Sequence, residues 1–137
     1  MFLWCNFVSI TTDLLDLELH TNYLTGTIPE DMYNADNLIR LDLSSNELTG
    51  TVSTNIGNLG SLAGLIINHN FLEGVIPTEI GQLDGLSLTL LGNNLLSGSI
   101  PTEVGEMVNC IELYLSTNML TGPLPGQIGN MTHLSKK

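Results

Sequence analysis

The stretch LIRLDLSSNELTGTVSTNIGNL, residues 38–59, contains one complete structural unit, and its reading decides the fold. Leu41 and Leu43 alternate with Arg40 and Asp42, which is the period-two signature of a short strand with one buried face. Asn46 lies where the chain turns inward after that strand. Ile56, Gly57 and Leu59 then change the spacing to three, broken by glycine, which suits a short helical or 3-10 turn.

Working outward, the unit recurs. Asn22, Asn46, Asn70, Asn94 and Asn118 follow one another at twenty-four residues. Leu24, Leu48, Leu72, Leu96 and Leu120 keep the same step, as do Gly26, Gly50, Gly74, Gly98 and Gly122. Branched aliphatics follow at Ile28, Val52, Ile76, Ile100 and Leu124, then proline at Pro29, Pro77, Pro101 and Pro125, with Ser53 the exception. Columns in register over most of a chain are the signature of a solenoid. One three-residue strand cannot bury its apolar face alone. Stacked on its neighbours at roughly 4.8 Å, it joins a parallel sheet along one side of the coil. The asparagine amide both donates and accepts, so it satisfies backbone groups of neighbouring turns that would otherwise be buried and unpaired. Glycine permits the tight bend and proline stiffens the next turn.

These residues match the repeat LxxLxLxxNxLxGxIPxxIGxLxxL, most fully in LDLSSNELTGTVSTNIGNLGSL and LGNNLLSGSIPTEVGEM, and the chain resembles the plant-type leucine-rich-repeat family over residues 14–134. The resemblance implies an α/β repeat solenoid: a right-handed superhelix with a concave parallel sheet, a short second sheet formed by the LxGxI segments, and helical or 3-10 turns on the convex side. The family includes receptor-like kinase ectodomains, secreted inhibitors of pectin-degrading enzymes, and algal proteins with runs like IPTEIG. By resemblance, the chain is a non-catalytic scaffold at the cell surface or outside the cell, binding a protein, peptide or glycan on its concave sheet. Resemblance at this level gives a fold and a general role and leaves the ligand open.

Residues 14–137 read as one domain of about five repeats, and residues 1–13 as the remnant of a preceding repeat or a partial N-terminal cap. Trp4 and Val8 fall in the columns of Ile28 and Met32, which favours the remnant; Trp4 and Cys5 resemble a family cap, but the second cysteine of such a cap is missing. The start has no basic segment and Asn6 interrupts its short apolar run, so it does not read as a signal peptide. The sequence stops after Leu134, where another strand would begin. A fragment of a longer solenoid is therefore expected, with uncapped ends that offer faces for self-association.

Composition excludes several classes. The net charge is −11 and the only Lys and Arg residues are Arg40, Lys136 and Lys137, which disfavours nucleic acid and an anionic membrane surface. No run reaches the ~18 apolar residues of a membrane-spanning helix. Cys110 falls in the column of Leu38, Leu62 and Leu86 and should be buried as a small hydrophobe. Cys5 lies more than four repeats earlier, some ~20 Å away, beyond the about 7 Å between Cα atoms that a disulfide tolerates. His20, His69 and His133 share no column, and no metal-ligand or nucleophile spacing occurs, so neither catalysis, a metal nor a cofactor is expected.

Recognition is expected on the outward positions of the concave strands. These are Asp16, Arg40, Gly64, Leu88 and Glu112 in one column, and Glu18, Asp42, Ile66, Leu90 and Tyr114 in the next. The face begins acidic and becomes apolar. The candidate binding residues are Glu18, Arg40, Asp42, Ile66, Leu88, Leu90, Glu112 and Tyr114, with Tyr114 the leading anchor because tyrosine is enriched at interface hot spots. The competing reading of the apolar row is ordinary cross-strand packing.

Thr89 stands where a core leucine belongs. A one-residue slip would turn Leu88 and Leu90 inward and make Asn93 the ladder residue. Leu86, Leu96 and Gly98 stay on the period, so the regular register is expected. Asn130 begins the chain's N-glycosylation triplet, Asn130-Met131-Thr132. A reading of another class comes from Thr25, Thr27, Thr49, Thr51, Ser97, Ser99 and Thr121, a grid of hydroxyls on the second sheet suited to ice binding, which Glu73, Val75 and Pro123 interrupt.

Overall fold

A computed structural model describes residues 13–135. The first coil carries β1 (Asp16–Glu18) and β2 (Thr25–Gly26), and the second carries β3 (Arg40–Asp42) and β4 (Glu47–Leu48). The third has β5 (Gly64–Ile66) and β6 (Glu73–Val75), the fourth β7 (Leu88–Leu90) and β8 (Leu95–Ser99), and the fifth β9 (Glu112–Tyr114) and β10 (Met119–Thr121). The odd-numbered strands form one five-stranded parallel sheet in chain order. Its register advances by one repeat per strand: Leu41 faces Leu65, Leu65 faces Thr89, and Thr89 faces Leu113. The leucine-rich-repeat solenoid read from the columns is the fold observed.

Thr89 is fully buried, Leu88 and Leu90 lie half-buried on the outer face, and Asn94 occupies the ladder. The regular register therefore holds. Its polar intruder has a neighbour, since Cys110 Sγ lies 4.0 Å from Thr89 Oγ1 and 3.4 Å from the Glu112 carbonyl oxygen. Burial pushes the Cys110 thiol's pKa up and keeps it neutral, so a small polar pair replaces two leucines inside the core.

The ladder has the double function expected of an amide. Asn70 Nδ2 donates to the carbonyls of Leu43 in the previous coil (3.0 Å) and Ile67 in its own (3.2 Å), while Oδ1 accepts from Leu48 N–H at 3.0 Å. Asn46, Asn94 and Asn118 repeat this pattern. Asn22, in the first described coil, donates only within its own turn. The residue before each asparagine (Thr21, Ser45, His69, Asn93 and Thr117) has a φ between 54° and 57°. The inward turn thus forces a left-handed conformation on residues that carry a Cβ.

The convex side is made of five 3-10 turns, η1 (Glu30–Asn34), η2 (Thr54–Asn58), η3 (Thr78–Gln82), η4 (Thr102–Glu106) and η5 (Gly126–Asn130). Glycine lets η3 and η4 touch: a Cβ on Gly81 would stand 2.6 Å from the Glu103 carbonyl oxygen. In the first coil Tyr33 takes that glycine position, and η1 and η2 pack less closely than the other pairs. Ser53, the exception in the proline column, answers it. Its N–H, which a proline would lack, donates to Tyr33 Oη at 3.4 Å, and its hydroxyl donates to Glu30 at 2.9 Å. Burial raises the Tyr33 phenol's pKa to about 12, so it stays neutral beside Glu30. Two irregularities in the sequence are one contact in space.

Two expectations change. The second sheet divides into a two-stranded piece, β2–β4, and a three-stranded piece, β6–β8–β10, linked by the Thr51–Glu73 bridge. Inner leucines of the first and last described coils, among them Leu17, Leu19 and Leu115, are only partly buried, and among the described strands each has a neighbour on one side. Beyond the last described coil lies an apolar hollow lined by Ile100, Leu113, Leu115, Leu124, Ile128 and Leu134. The readings made for Trp4, Cys5 and Val8 lie outside the described residues.

Candidate ligand-binding face

Parallel strands of three residues each put the outward columns side by side across the concave sheet. At its N-terminal end the side chains form a charged network. Arg40 Nε lies 3.1 Å from Glu18 Oε1, and Arg40 Nη2 donates to Asp42 Oδ2 at 3.3 Å. Asp42 Oδ1 accepts from the Ser44 N–H at 3.1 Å and from its hydroxyl at 2.7 Å. This corrects the expectation for Asp42: it belongs to the outward column, yet it is 5% exposed, enclosed by the groups it accepts from. Glu18 and Arg40 remain open to solvent.

The expected apolar row is also shortened. Ile66 is 5% exposed, so it contributes packing rather than contact surface. Leu88, Leu90 and Glu112 are half-buried, and Tyr114 is 36% exposed. The Tyr114 ring lies against Gly92 of the preceding coil so closely that a Cβ there would collide with Cδ1 and Cε1. Gly92 thus leaves the space that one edge of the Tyr114 ring occupies. The sequence carried the signal, because Gly92 is the one glycine in the column His20, Ser44, Asn68, Gly92, Ser116.

A feature absent from the sequence reading is a depression of about 240 Å³ beside the network. It is lined by Ile39, Ala63, Gly64, Ser87 and Leu88, with Asp16 and Arg40 also at its edge. Its sequence signal is Gly64, flanked in its column by the larger Arg40 and Leu88, next to the small pair Ala63 and Ser87.

The remaining candidates stay apart. His69 Nε2 is 3.4 Å from Asn93 Nδ2, His20 contacts its neighbour Thr21, and His133 meets the Val108 carbonyl. Among the described residues no group of three His, Cys, Asp or Glu could hold a metal ion, and no helix is long and apolar enough to cross a membrane. Asn130 is exposed at the end of η5.

The Leucine Rich Repeat family model matches residues 37–59 and 109–131. No curated protein sequence matches the chain. Among solved structures, the ectodomain of the plant membrane receptor kinase GASSHO1/SCHENGEN3 from Arabidopsis thaliana, in complex with CASPARIAN STRIP INTEGRITY FACTOR 2, is 34% identical with a TM-score of 0.90, over 91% of this chain and 15% of that one. The Arabidopsis receptor kinase HAESA, in complex with the peptide hormone IDA and the co-receptor SERK1, is 35% identical with a TM-score of 0.87, over 92% and 22% of the respective chains. A plant ice-binding protein is 35% identical with a TM-score of 0.81, over 84% and 37%. The chain spans less than a quarter of the length of either receptor structure. Repeat period, register, asparagine ladder and structural neighbours agree: the chain is a leucine-rich-repeat protein built on the plant-type repeat.

Proposed function

We propose that this chain is a non-catalytic recognition scaffold that binds a protein or peptide on its concave sheet, as part of an extracellular receptor-like or secreted protein. The observation that carries the reading is the Tyr114 ring, one edge of which occupies the space left by Gly92, next to the half-buried Leu90. A rigid aromatic on a rigid sheet loses little entropy on binding. The receptor kinase HAESA, to which it is similar and whose structure holds a peptide hormone and a co-receptor, supports the same class of partner.

Tyr114→Ala is expected to weaken a concave-face ligand by about 2 kcal/mol, some thirty-fold in Kd. Folding stability should change by less than about 1 kcal/mol, because Tyr114 is among the exposed large side chains and lies outside the buried core. Titration of a peptide selected from a displayed library checks the first value and urea unfolding the second. Loss of fold as severe as that of the fully buried Ile67→Ala would contradict the placement of Tyr114.

Ice binding is a second reading, supported by the exposed Thr25, Thr27, Thr49 and Thr51 on β2, β4 and the residues that follow them, and by the ice-binding structural neighbour. Exposed Glu73 and Val75 interrupt the hydroxyl array between the two sheet pieces. Thermal hysteresis of the chain in solution is expected to be nil. A clear freezing gap abolished by Thr51→Lys would favour the second reading over the first.

A further inference from the structure

The depression at Gly64 lies between two chemically different parts of the concave sheet. Towards the first coil stand Asp16, Glu18 and Asp42 against Arg40, three carboxylates and one guanidinium, a net charge of −2. Arg40 is the sole Lys or Arg among the described residues, and Glu18 and Asp42 already engage it. Asp16, at the rim, pairs with no cation among the described residues. Towards the fourth coil stand Leu88 at the depression, Ser87 beside it with its hydroxyl donating to the Ala63 carbonyl oxygen at 3.0 Å, and Leu90 two residues on. Gly64 leaves the space between them: a Cβ there would meet only Arg40 Cγ, at 3.6 Å.

We propose that the Gly64 depression is an anchor pocket that takes an apolar side chain of the partner while the adjoining carboxylates take a cationic side chain next to it. The proposal rests on the concave-face reading above and narrows its ligand to a peptide with an aliphatic residue beside a lysine or arginine. Volume and lining suit one aliphatic side chain, which gains by leaving water against Ile39 and Leu88. Charge selects its neighbour. An acidic peptide meets an excess of carboxylates and an Arg40 already held on both sides, whereas a basic one meets Asp16 at the pocket's edge and Glu18 two residues further along the same strand.

The structure also supplies a variant that fills the pocket without disturbing the fold. Gly64 has no left-handed φ, its added Cβ falls in ordinary contact, and every other coil carries a side chain at this strand position. Gly64→Leu should therefore fold at least as stably as the native chain, since leucine suits a strand better than glycine.

The test uses a displayed library of random heptapeptides selected on the full chain and then titrated on four proteins, the native chain and its Gly64→Leu, Asp16→Lys and Tyr114→Ala variants. Expected are peptides carrying a Lys or Arg beside an aliphatic residue, with affinity at least tenfold weaker on Gly64→Leu and on Asp16→Lys, and weaker again as salt is raised. Should Gly64→Leu fail to fold, Asp16→Lys, a change at an exposed residue, carries the same test through charge. Peptides that respond to Tyr114→Ala but bind native, Gly64→Leu and Asp16→Lys chains alike would overturn the pocket and leave the concave-face reading standing. Peptides indifferent to all three changes, or no enrichment, would overturn both.

Discussion

Asn70→Ala should lose about 3 kcal/mol of folding stability, a large effect for a single polar change. The amide holds four backbone groups at once: Leu48 N–H, the carbonyls of Leu43 and Ile67, and, at 3.4 Å, that of Asn68. Leu43 and Ile67 each keep a second asparagine, Asn46 and Asn94 respectively, so those carbonyls lose one of two bonds. Leu48 N–H loses the amide oxygen that accepts from it, and Leu48 is fully buried. A buried donor left unpaired costs about 1–3 kcal/mol, and the two weakened acceptors add roughly 0.5–1.5 each. Asn22→Ala is the internal control. Asn22 is exposed and its side chain, among the described residues, bonds only Leu19 and His20 of its own turn, so its removal should cost less than about 1 kcal/mol. Urea unfolding of both variants measures the contrast. Because each coil leans only on its neighbours, a break at Asn70 should also lower the steepness of the transition, as the two sides begin to unfold separately. Equal losses from the two variants would refute the ladder as the element that joins the coils.

Gly81→Ala comes second, at about 2 kcal/mol. The new methyl would sit 2.6 Å from the Glu103 carbonyl oxygen and 2.9 Å from its Cβ, and a carbonyl in a packed turn cannot rotate away as a flexible side-chain tip can. The backbone at Gly81 is not left-handed, so alanine brings no conformational strain and the cost is purely that of separating η3 from η4. Gly129 occupies the same position in the fifth coil, with nothing within 4 Å of its would-be Cβ. Gly129→Ala should therefore be neutral or slightly stabilising through the unfolded chain. Thermal unfolding of the pair separates steric contact from any general need for glycine at this position; a Gly81→Ala protein as stable as native would show that the convex turns are free to slide.

Much of this was legible in the sequence because a solenoid writes its contacts as columns. The five asparagines, their inward turn and the inward leucines follow from one period and from the rule that buried backbone groups are paired. Even the Thr89 register was readable, since Leu86, Leu96 and Gly98 fixed the coil on both sides of the misfit. Columns fail where neighbouring side chains interact across them. Asp42 and Ile66 belong to outward columns, but Arg40 and Ser44 close over the first, and in the middle coil Ile66 has strands on both sides. The Tyr33–Ser53 contact joins two exceptions in different columns, which no single column displays. The depression at Gly64 is a volume, set by small residues in one coil and larger ones in the next, so a pattern of residue types only hints at it.

The central claim is that recognition takes place on the concave sheet. It is tested most directly by amide hydrogen exchange of the chain with and without a selected peptide. The expected result is slowed exchange confined to the concave strands β1, β3, β5, β7 and β9 and to the turns that follow them, with β6, β8 and β10 unchanged. Protection of the second sheet or of the convex turns, with the concave strands unaffected, would contradict it.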